Sequence, residues 1–280
     1  MDKNNPPAAR CKDGDTVIFE TLDCSDGAVR TDGTRDRTPG KYIANPATGP
    51  LFVEGAEPGD VLEVRIVSLK TGDSGFMGPG RRVKMYGTEA DYPIRLFDVS
   101  DGKVSIGGHT FDAEPMIGVI GVAPAGEGIG TMTPHAHGGN MDCTRIREGS
   151  TVYFPVFAHG ALLAMGDLHA AMGDGEVSWY GLETPGEVTV EIRIIRNKTL
   201  HWPVVVDRGT LWVVASAKTT DECCELATAE LYGILVGMGW DASDALYLMS
   251  MKCNLSVCQI VDPNMTVRAG IDVVYLKPKY

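Results

Sequence analysis

Alternation of hydrophobic and polar positions dominates the first 215 residues of the chain. The run at 61–67 alternates cleanly after a Glu-Pro-Gly-Asp turn, and the run at 115–122 is nearly all apolar, as in a strand buried on both faces. Valine and isoleucine are enriched in such runs, and turns rich in Gly, Pro and Asp separate them. Strands are therefore predicted over 16–22, 61–67, 115–122, 151–157, 187–195 and 210–215.

The pattern changes near residue 219, where helical periodicity replaces alternation. Thr219 and Thr220 can cap a helix, and the glycines on either side of Met238 can end it. Asp241 or Ser243 can cap a second helix. The predicted elements of this part are helices over 221–237 and 245–251 and a closing strand over 255–261.

Together these elements predict a mainly β fold. We expect a sandwich or barrel-like catalytic body over 1–218 and a small α+β segment over 219–280. The segment is short for an independent domain, so it is expected to pack on the body as one integrated unit. Because it contains no histidine, we expect it to stabilise the fold and to take no part in catalysis.

Composition narrows the possible functions. The 280 residues carry 25 Lys and Arg against 37 Asp and Glu, a formal net charge of −12. An acidic chain repels phosphate backbones and anionic lipids, so we expect no nucleic-acid or membrane partner and favour a small neutral substrate. No apolar run approaches the roughly 18 residues of a membrane span. The first residues lack the apolar region of a secretory signal, so we expect a cytoplasmic protein.

Side chains with catalytic potential concentrate between residues 131 and 183. The pairs Asp167-x-His169 and His135-x-His137 have period 2, so in an extended chain both members would point to one face. Histidine beside carboxylate is the usual donor set of a catalytic zinc ion. The alternative is that the acids and amides are turn residues and that His135 and His137 are exposed on a loop. The residues alone leave both interpretations open.

Nucleophile motifs are scarce. The sequence has no Gly-x-Ser-x-Gly elbow and no His-Glu-x-x-His helix. Its seven cysteines are odd in number and form no Cys-x-x-Cys pair, which favours reduced thiols over a disulfide framework or a structural zinc cluster. Cys143 is a candidate nucleophile because it follows Asp142, and a small buried thiol is the alternative interpretation.

Several segments in order along the chain resemble the acetamidase/formamidase family. The most specific are GGNMD at 138–142, GSTVYFPV at 149–156, GDLHAAMGDGE at 166–176 and LE at 182–183. Further matching segments are ETLDC at 20–24 and the stretches 45–60, 117–124 and 259–263. One departure is Met172, where many members carry Gln before Gly-Asp-Gly-Glu, and we expect this residue to contact the substrate.

The resemblance implies hydrolysis of short linear amides to carboxylate and ammonia, on a mostly β scaffold that forms a homodimer or larger homo-oligomer. With no serine elbow in the chain, a divalent metal is the simplest means of activating water. Zinc is the first choice of metal and calcium the alternative. The metal ligands expected on this basis are Asp23, His137, Asp142, Asp167 and His169.

The remaining roles are argued from the residues near these ligands. Glu183 or Glu176 would be the general base, with the choice between them open. Gly138, Gly139 and Asn140 would contact the substrate and steady the oxyanion through backbone N–H groups. No role is assigned to His135. Two other functions remain possible on the sequence: a thiol amidase that uses Cys143, or a non-catalytic small-molecule-binding protein of the same fold.

Overall fold

The computed structural model describes residues 1–36, 38, 43–78 and 93–278. The strands, in chain order, are β1 (Ala9–Cys11), β2 (Thr16–Thr21), β3 (Ala47–Val53), β4 (Val61–Thr71), β5 (Ser74–Met77), β6 (Arg95–Asp98), β7 (Lys103–Ile106), β8 (His109–Asp112), β9 (Met116–Gly121), β10 (Gly138–Asn140), β11 (Thr151–Pro155), β12 (Leu163–His169), β13 (Glu183–Thr184), β14 (Gly186–Ile195), β15 (Val204–Asp207), β16 (Thr210–Ala217), β17 (Asn254–Gln259) and β18 (Met265–Asp272). The helices are α1 (Thr220–Gly237), α2 (Ala242–Lys252) and a short 3-10 helix (Val273–Tyr275).

Two large sheets organise these strands. The first has the order β1-β3-β12-β13-β5-β6, with β9 paired to β12 and β10 paired to β9. The second has the order β17-β18-β16-β15-β11-β4-β14-β2, and β7 and β8 form a separate hairpin. The mainly β prediction is confirmed, and each strand predicted before residue 215 overlaps an observed strand.

The main core lies between the two sheets. Strand β4 shows how the alternating pattern produces it, because Leu62, Val64 and Ile66 are fully buried while Arg65 is exposed. Side chains of β4, β11 and β14 from the second sheet join those of β3, β9 and β12 from the first in one buried cluster. Each large side chain buried this way contributes about 1.5–3 kcal/mol before entropy. The arrangement is a β-sandwich, and β9 and β12 carry the side chains described below.

The C-terminal helices pack on the second sheet. Helix α1 begins with a capping box in which Thr219 and Glu222 each accept a hydrogen bond from the other's backbone N–H. Its buried residues recur every four positions and pack against β16 and β18. No described helix combines the length and apolarity that crossing a bilayer would require. The division of the chain at residues 218 and 219 stays a prediction.

The expectation that the strand at 255–261 closes the chain is wrong. Strand β17 ends at Gln259, and β18 follows and pairs with both β17 and β16. The alternating pattern misses β18 because Arg268 interrupts its apolar positions, although this arginine is only 1% exposed. Arg268 is tolerated there because its guanidinium pairs with the Asp174 carboxylate, with Nη1–Oδ1 and Nη2–Oδ2 distances of 3.0 and 2.5 Å.

Candidate functional site

Strand pairing brings His169 and Glu183 together. His169 ends β12 and lies opposite Glu183, the first residue of β13, in an antiparallel ladder. Side chains in such a pair share one face of the sheet, and the His169 Nε2 atom lies 3.3 Å from Glu183 Oε1. Both side chains are buried. Gly181 makes room for the ring, because a Cβ atom there would lie 2.4 Å from His169 Nδ1.

Asp142 and Asp167 meet next to Gly118, in the middle of β9. A Cβ atom on Gly118 would lie 2.6 Å from Asp142 Oδ1 and 2.8 Å from Asp167 Oδ2. Asp167 Oδ1 lies 3.7 Å from His169 Nε2, and the amide of Asn45 donates to Asp167 Oδ2 at 3.0 Å. The two aspartates and His169 therefore form one cluster at the end of β12.

Three of the predicted acids have left-handed backbone conformations. The φ angles are 44° at Asp142, 58° at Asp167 and 45° at Glu176. Such angles are uncommon in residues other than glycine and concentrate at functional sites. Asp167 and His169 share one environment, as predicted, but Asp167 adopts a left-handed conformation there instead of the regular alternation of an extended strand.

The cluster fits a divalent cation. Asp142, Asp167 and His169 each offer a ligand atom within 4.8 Å of the others, and so do His169, Glu176 and Glu183. Among the described residues, no hydrogen-bond partner lies in reach of either Asp142 carboxylate oxygen, Asp167 Oδ1, Glu176 Oε2 or Glu183 Oε2. Buried polar atoms without partners are costly, whereas carboxylate oxygen and imidazole nitrogen are the donors of catalytic zinc sites.

Burial and mutual repulsion change the protonation of this cluster. Burial and neighbouring carboxylates raise the pKa values of Asp142 and Glu176 well above their usual range. Burial also raises the pKa of Glu183 to about 7, against the opposite effect of His169. Burial alone would lower the pKa of His169, but the Glu183 and Asp167 carboxylates outweigh it and raise that pKa well above its usual value. These groups hold protons that a bound cation would displace.

Cys24 joins the cluster although the sequence did not single it out. Its Sγ atom and ligand atoms of Asp167 and Glu183 lie within 4.8 Å of one another. Burial, followed by the charges of Glu183 and Asp167, raises the pKa of the thiol. The only available signal was its place in the segment 20–24, which resembles the family.

Asp262 is a second residue near the cluster that the sequence did not single out. Its Oδ2 atom accepts a hydrogen bond from the Asn140 amide at 2.8 Å, and its charge raises the pKa of Asp142. Burial and then Glu176 raise the pKa of Asp262 itself. Asp262 belongs to the C-terminal segment, so the expectation that this segment only stabilises the fold does not match its position.

The structure does not bring Asp23 or His137 into the cluster. The Asp23 Oδ1 atom accepts hydrogen bonds from the backbone N–H groups of Ser25 and Gly27, at 2.8 and 3.2 Å. His137 is 1% exposed, and burial, followed by the nearby N-terminal amine, lowers its pKa to about 3. Neither side chain belongs to a described group of three potential ligands.

The chain turns tightly between His135 and Gly138, and this separates the predicted histidine pair. His135 and Gly138 exchange backbone hydrogen bonds of 2.8 and 2.9 Å, so the chain between them is not extended. His135 is exposed beside Trp202, with ring centroids 5.6 Å apart, while His137 is buried. The Gly138 N–H is already donated to His135, and Gly139 adopts a φ angle of 91° in the same turn.

A cavity of about 380 Å³ opens beside Glu176. Its wall is mainly apolar and includes Met77, Phe97, Val104, Phe111, Met172 and Leu182. Glu176 lines this cavity, whereas Glu183 does not. Met172 therefore stands where a substrate could touch it, and Glu176 is the carboxyl group of the cluster that a substrate could reach.

Cys143 lies in the interior, beside Cys258 and Arg268. It is fully buried, and a hydrogen bond with Cys258, assisted by the charge of Arg268, lowers its pKa to about 7 despite burial. Arg268 in turn pairs with Asp174. The basic neighbour of this thiol is Arg268, and no described group of potential ligands contains both Cys143 and His169.

Comparison with known proteins places this arrangement in a family. The model of the acetamidase/formamidase family matches residues 2–127 and 125–274. The crystal structure of a Thermoanaerobacter tengcongensis protein described as a predicted acetamidase/formamidase has a TM-score of 0.93 and 39% identity, covering 98% of this chain and 92% of that one. An acetamidase from Bacillus halodurans has a TM-score of 0.90 and 39% identity, covering 98% and 94%.

A formamidase of Methylophilus methylotrophus is 27% identical over an alignment 257 residues long, and the match covers 69% of this chain and 62% of the formamidase. The match thus spans less than two thirds of that relative's length. The family model, by contrast, covers nearly all of the chain, and the solved structures share its fold throughout. The chain therefore belongs to the acetamidase/formamidase family.

Proposed function

We propose that the protein hydrolyses the C–N bond of short linear amides, of the formamide and acetamide type, with the help of a divalent cation. The observation that carries the proposal is the buried group of Asp142, Asp167 and His169, whose potential ligand atoms converge within 4.8 Å of one another. Relatives that are named formamidase and acetamidase support the amide as the class of substrate.

Asp142, Asp167 and His169 would hold the cation. A cation bound there would supply Lewis-acid polarisation and would lower the pKa of water from 15.7 to about 7. The chain must still move protons, because an unactivated amide resists neutral water and loses its nitrogen only after protonation. The residues that border the cavity are placed for this task.

Glu176 is the general base in this proposal and Glu183 is not. Glu176 faces the cavity, and its raised pKa suits a carboxyl group that first accepts a proton from water and then donates it to the departing ammonia. Glu183 lies beside His169 and away from the cavity, so it orients the imidazole or contributes a further ligand. Asn140 acts through Asp262, which its amide holds by a hydrogen bond of 2.8 Å.

The experiment is ammonia release from formamide and acetamide before and after chelation, with zinc or calcium added back. We expect chelation to abolish activity, and we expect thiol alkylation of the metal-loaded protein to leave it. The reverse result would favour a thiol amidase using Cys143. Absence of ammonia release under all conditions would favour a binding protein. Equal rates on benzamide would contradict the restriction to short acyl groups.

The family resemblance also supports a homodimer or larger homo-oligomer. Gel filtration with light scattering would test this assembly, and a monomeric active enzyme would contradict it.

A further inference from the structure

The side chains of Asp23 and Cys24 lie in different surroundings. The sequence predicts Asp23 as a metal ligand, but it is Cys24 that lies among the acids of the cluster. The Asp23 carboxylate turns back to accept the backbone N–H groups of Ser25 and Gly27. This hydrogen-bonded turn after β2 occupies the carboxylate that was expected to bind metal. The next side chain along, Cys24, then reaches the cluster of acids.

The group around Cys24 has the chemistry of a cation site. Cys24 Sγ, an Asp167 carboxylate oxygen and a Glu183 carboxylate oxygen lie within 4.8 Å of one another. Asp167 and Glu183 are each 2% exposed, and Asp167 Oδ1 and Glu183 Oε2 have no hydrogen-bond partner among the described residues. Two buried carboxylates beside a sulfur, each with one unpartnered oxygen, are an independent sign that a ligand belongs there.

This group also shares members with the ligand groups around His169. Asp167 belongs both to the group of Cys24 and to the group of Asp142 and His169. Glu183 belongs both to the group of Cys24 and to the group of His169 and Glu176. The group of Cys24 therefore adjoins the groups around His169 through two shared carboxylates.

We propose that Cys24 is a thiolate ligand of the cation centre and that it makes the centre select zinc over calcium. This inference rests on the proposed function, since it adds a ligand to the cation described there. Thiolates favour Zn²⁺, whereas Ca²⁺ and Mg²⁺ take oxygen ligands. On binding, the S–H bond is broken, the sulfur keeps the electron pair that it shares with the cation, and the proton passes to solvent.

Cobalt substitution detects a metal–sulfur bond directly, and its result does not depend on enzyme activity. The protein is stripped with a chelator, loaded with Co²⁺, and its metal content is measured alongside the near-ultraviolet absorption spectrum. We expect a thiolate-to-cobalt charge-transfer band in the wild type. The variants are Cys24→Ser and Cys24→Asp, the second of which keeps an anionic ligand without sulfur. Cys224→Ser is the matched control, because Cys224 is also half-buried but lies on helix α1.

The expected result is a band in the wild type and in Cys224→Ser, and none in Cys24→Asp with cobalt still bound. Loss of an outer partner of a metal ligand already costs about 10–100-fold in affinity. We therefore expect Cys24→Ser to bind zinc at least about tenfold more weakly, with little change for calcium.

Other outcomes separate this inference from the proposed function. Bound cobalt without a band in the wild type, or a band that persists in Cys24→Asp, would overturn the role of Cys24 and leave metal-assisted hydrolysis intact. No bound metal in a fully active wild type would overturn both. Unchanged selectivity for zinc over calcium in both Cys24 variants would overturn the selectivity claim.

Discussion

Gly118 and Asp142 are in such close contact that a Cβ atom on the glycine would lie 2.6 Å from the Asp142 Oδ1 atom. The same Cβ atom would lie 2.8 Å from Asp167 Oδ2. Gly118 is in the centre of β9, where glycine weakens a strand by removing a packing side chain. Its absence of a side chain is what lets the two carboxylates approach each other.

Gly118→Ala should therefore separate Asp142 from Asp167. We expect metal content and activity to fall together, by at least about tenfold, as for loss of a group that positions a metal ligand. Gly126→Ala is the control, because a Cβ atom at Gly126 meets nothing within 4 Å. The measurements are elemental analysis and ammonia release. Normal metal content in Gly118→Ala would mean that the close approach has no functional role.

Changes at the proposed ligands should separate a metal site from a structural cluster. His169→Ala removes a ligand, and Asp142→Asn removes a charge while nearly keeping the shape. Both should lower bound metal and activity together with the fold retained, whereas His135→Ala, at an exposed histidine, should change neither. A purely structural cluster would instead lose roughly 1–3 kcal/mol of stability and lose activity only by unfolding. Melting curves recorded beside metal content distinguish the two.

Glu176→Gln and Glu183→Gln should differ in kinetics. If Glu176 transfers the proton, its replacement should lower kcat by about 10²–10⁴-fold while the cation stays bound. Replacement of Glu183 should weaken metal binding as well, because Glu183 Oε1 lies 3.3 Å from His169 Nε2. Reversed behaviour of the two variants, measured as kcat and metal content, would exchange their roles.

Asp174 should position Glu176 through the loop that joins them. It accepts hydrogen bonds from Thr144 Oγ1 at 2.8 Å and from Arg268. Asp174→Asn should lower kcat about tenfold by loosening this loop, since small displacements of a catalytic group are costly. Asp207→Asn breaks an Asp–Arg pair with Arg147 that is more deeply buried, so it should lower the melting temperature and leave kcat unchanged. Equal kcat values in both variants would refute the positioning role.

The metal-free protein should lose stability as pH rises. Glu183, with a pKa of about 7, and Asp142 and Glu176, with pKa values raised well above their usual range, bind protons more tightly when folded. His169 does the same, so the folded state holds more protons than the unfolded chain above about pH 6.5. Stability then falls with rising pH.

Thermal melting of the chelated protein between about pH 6.5 and pH 8 measures this effect. His137 should add little in that window, because its pKa of about 3 and its unfolded value both lie at or below the window. Saturating zinc should remove the decline, since the cation replaces the protons. A melting temperature that rises with pH in the chelated protein would contradict the raised pKa values.

Local pattern determined much of this protein. The alternation at 61–67 became β4 because burial of every second residue is a property of a single strand. The Thr219 cap followed likewise from neighbours in sequence. Asp167 and His169 could be singled out together because they are two residues apart.

Only the tertiary structure decided which loop residues join the cluster. The sequence predicts Asp23 as a ligand and assigns no role to Cys24, yet hydrogen bonds within one turn hold the carboxylate there while the thiol reaches the cluster. His137 was paired with His135, yet the turn at Gly138 buries one ring and exposes the other.

The order in which the strands pair decided the rest. Asp262 meets Asn140 across 122 positions of sequence, and His169 meets Glu183 because β12 pairs with β13. The direction of a loop side chain depends on its turn, and contacts between distant segments depend on which strands become neighbours. Neither is encoded in the spacing of residues. The sequence alone therefore determined several of the strands and the chemical types present, and the folded chain decided which of them meet.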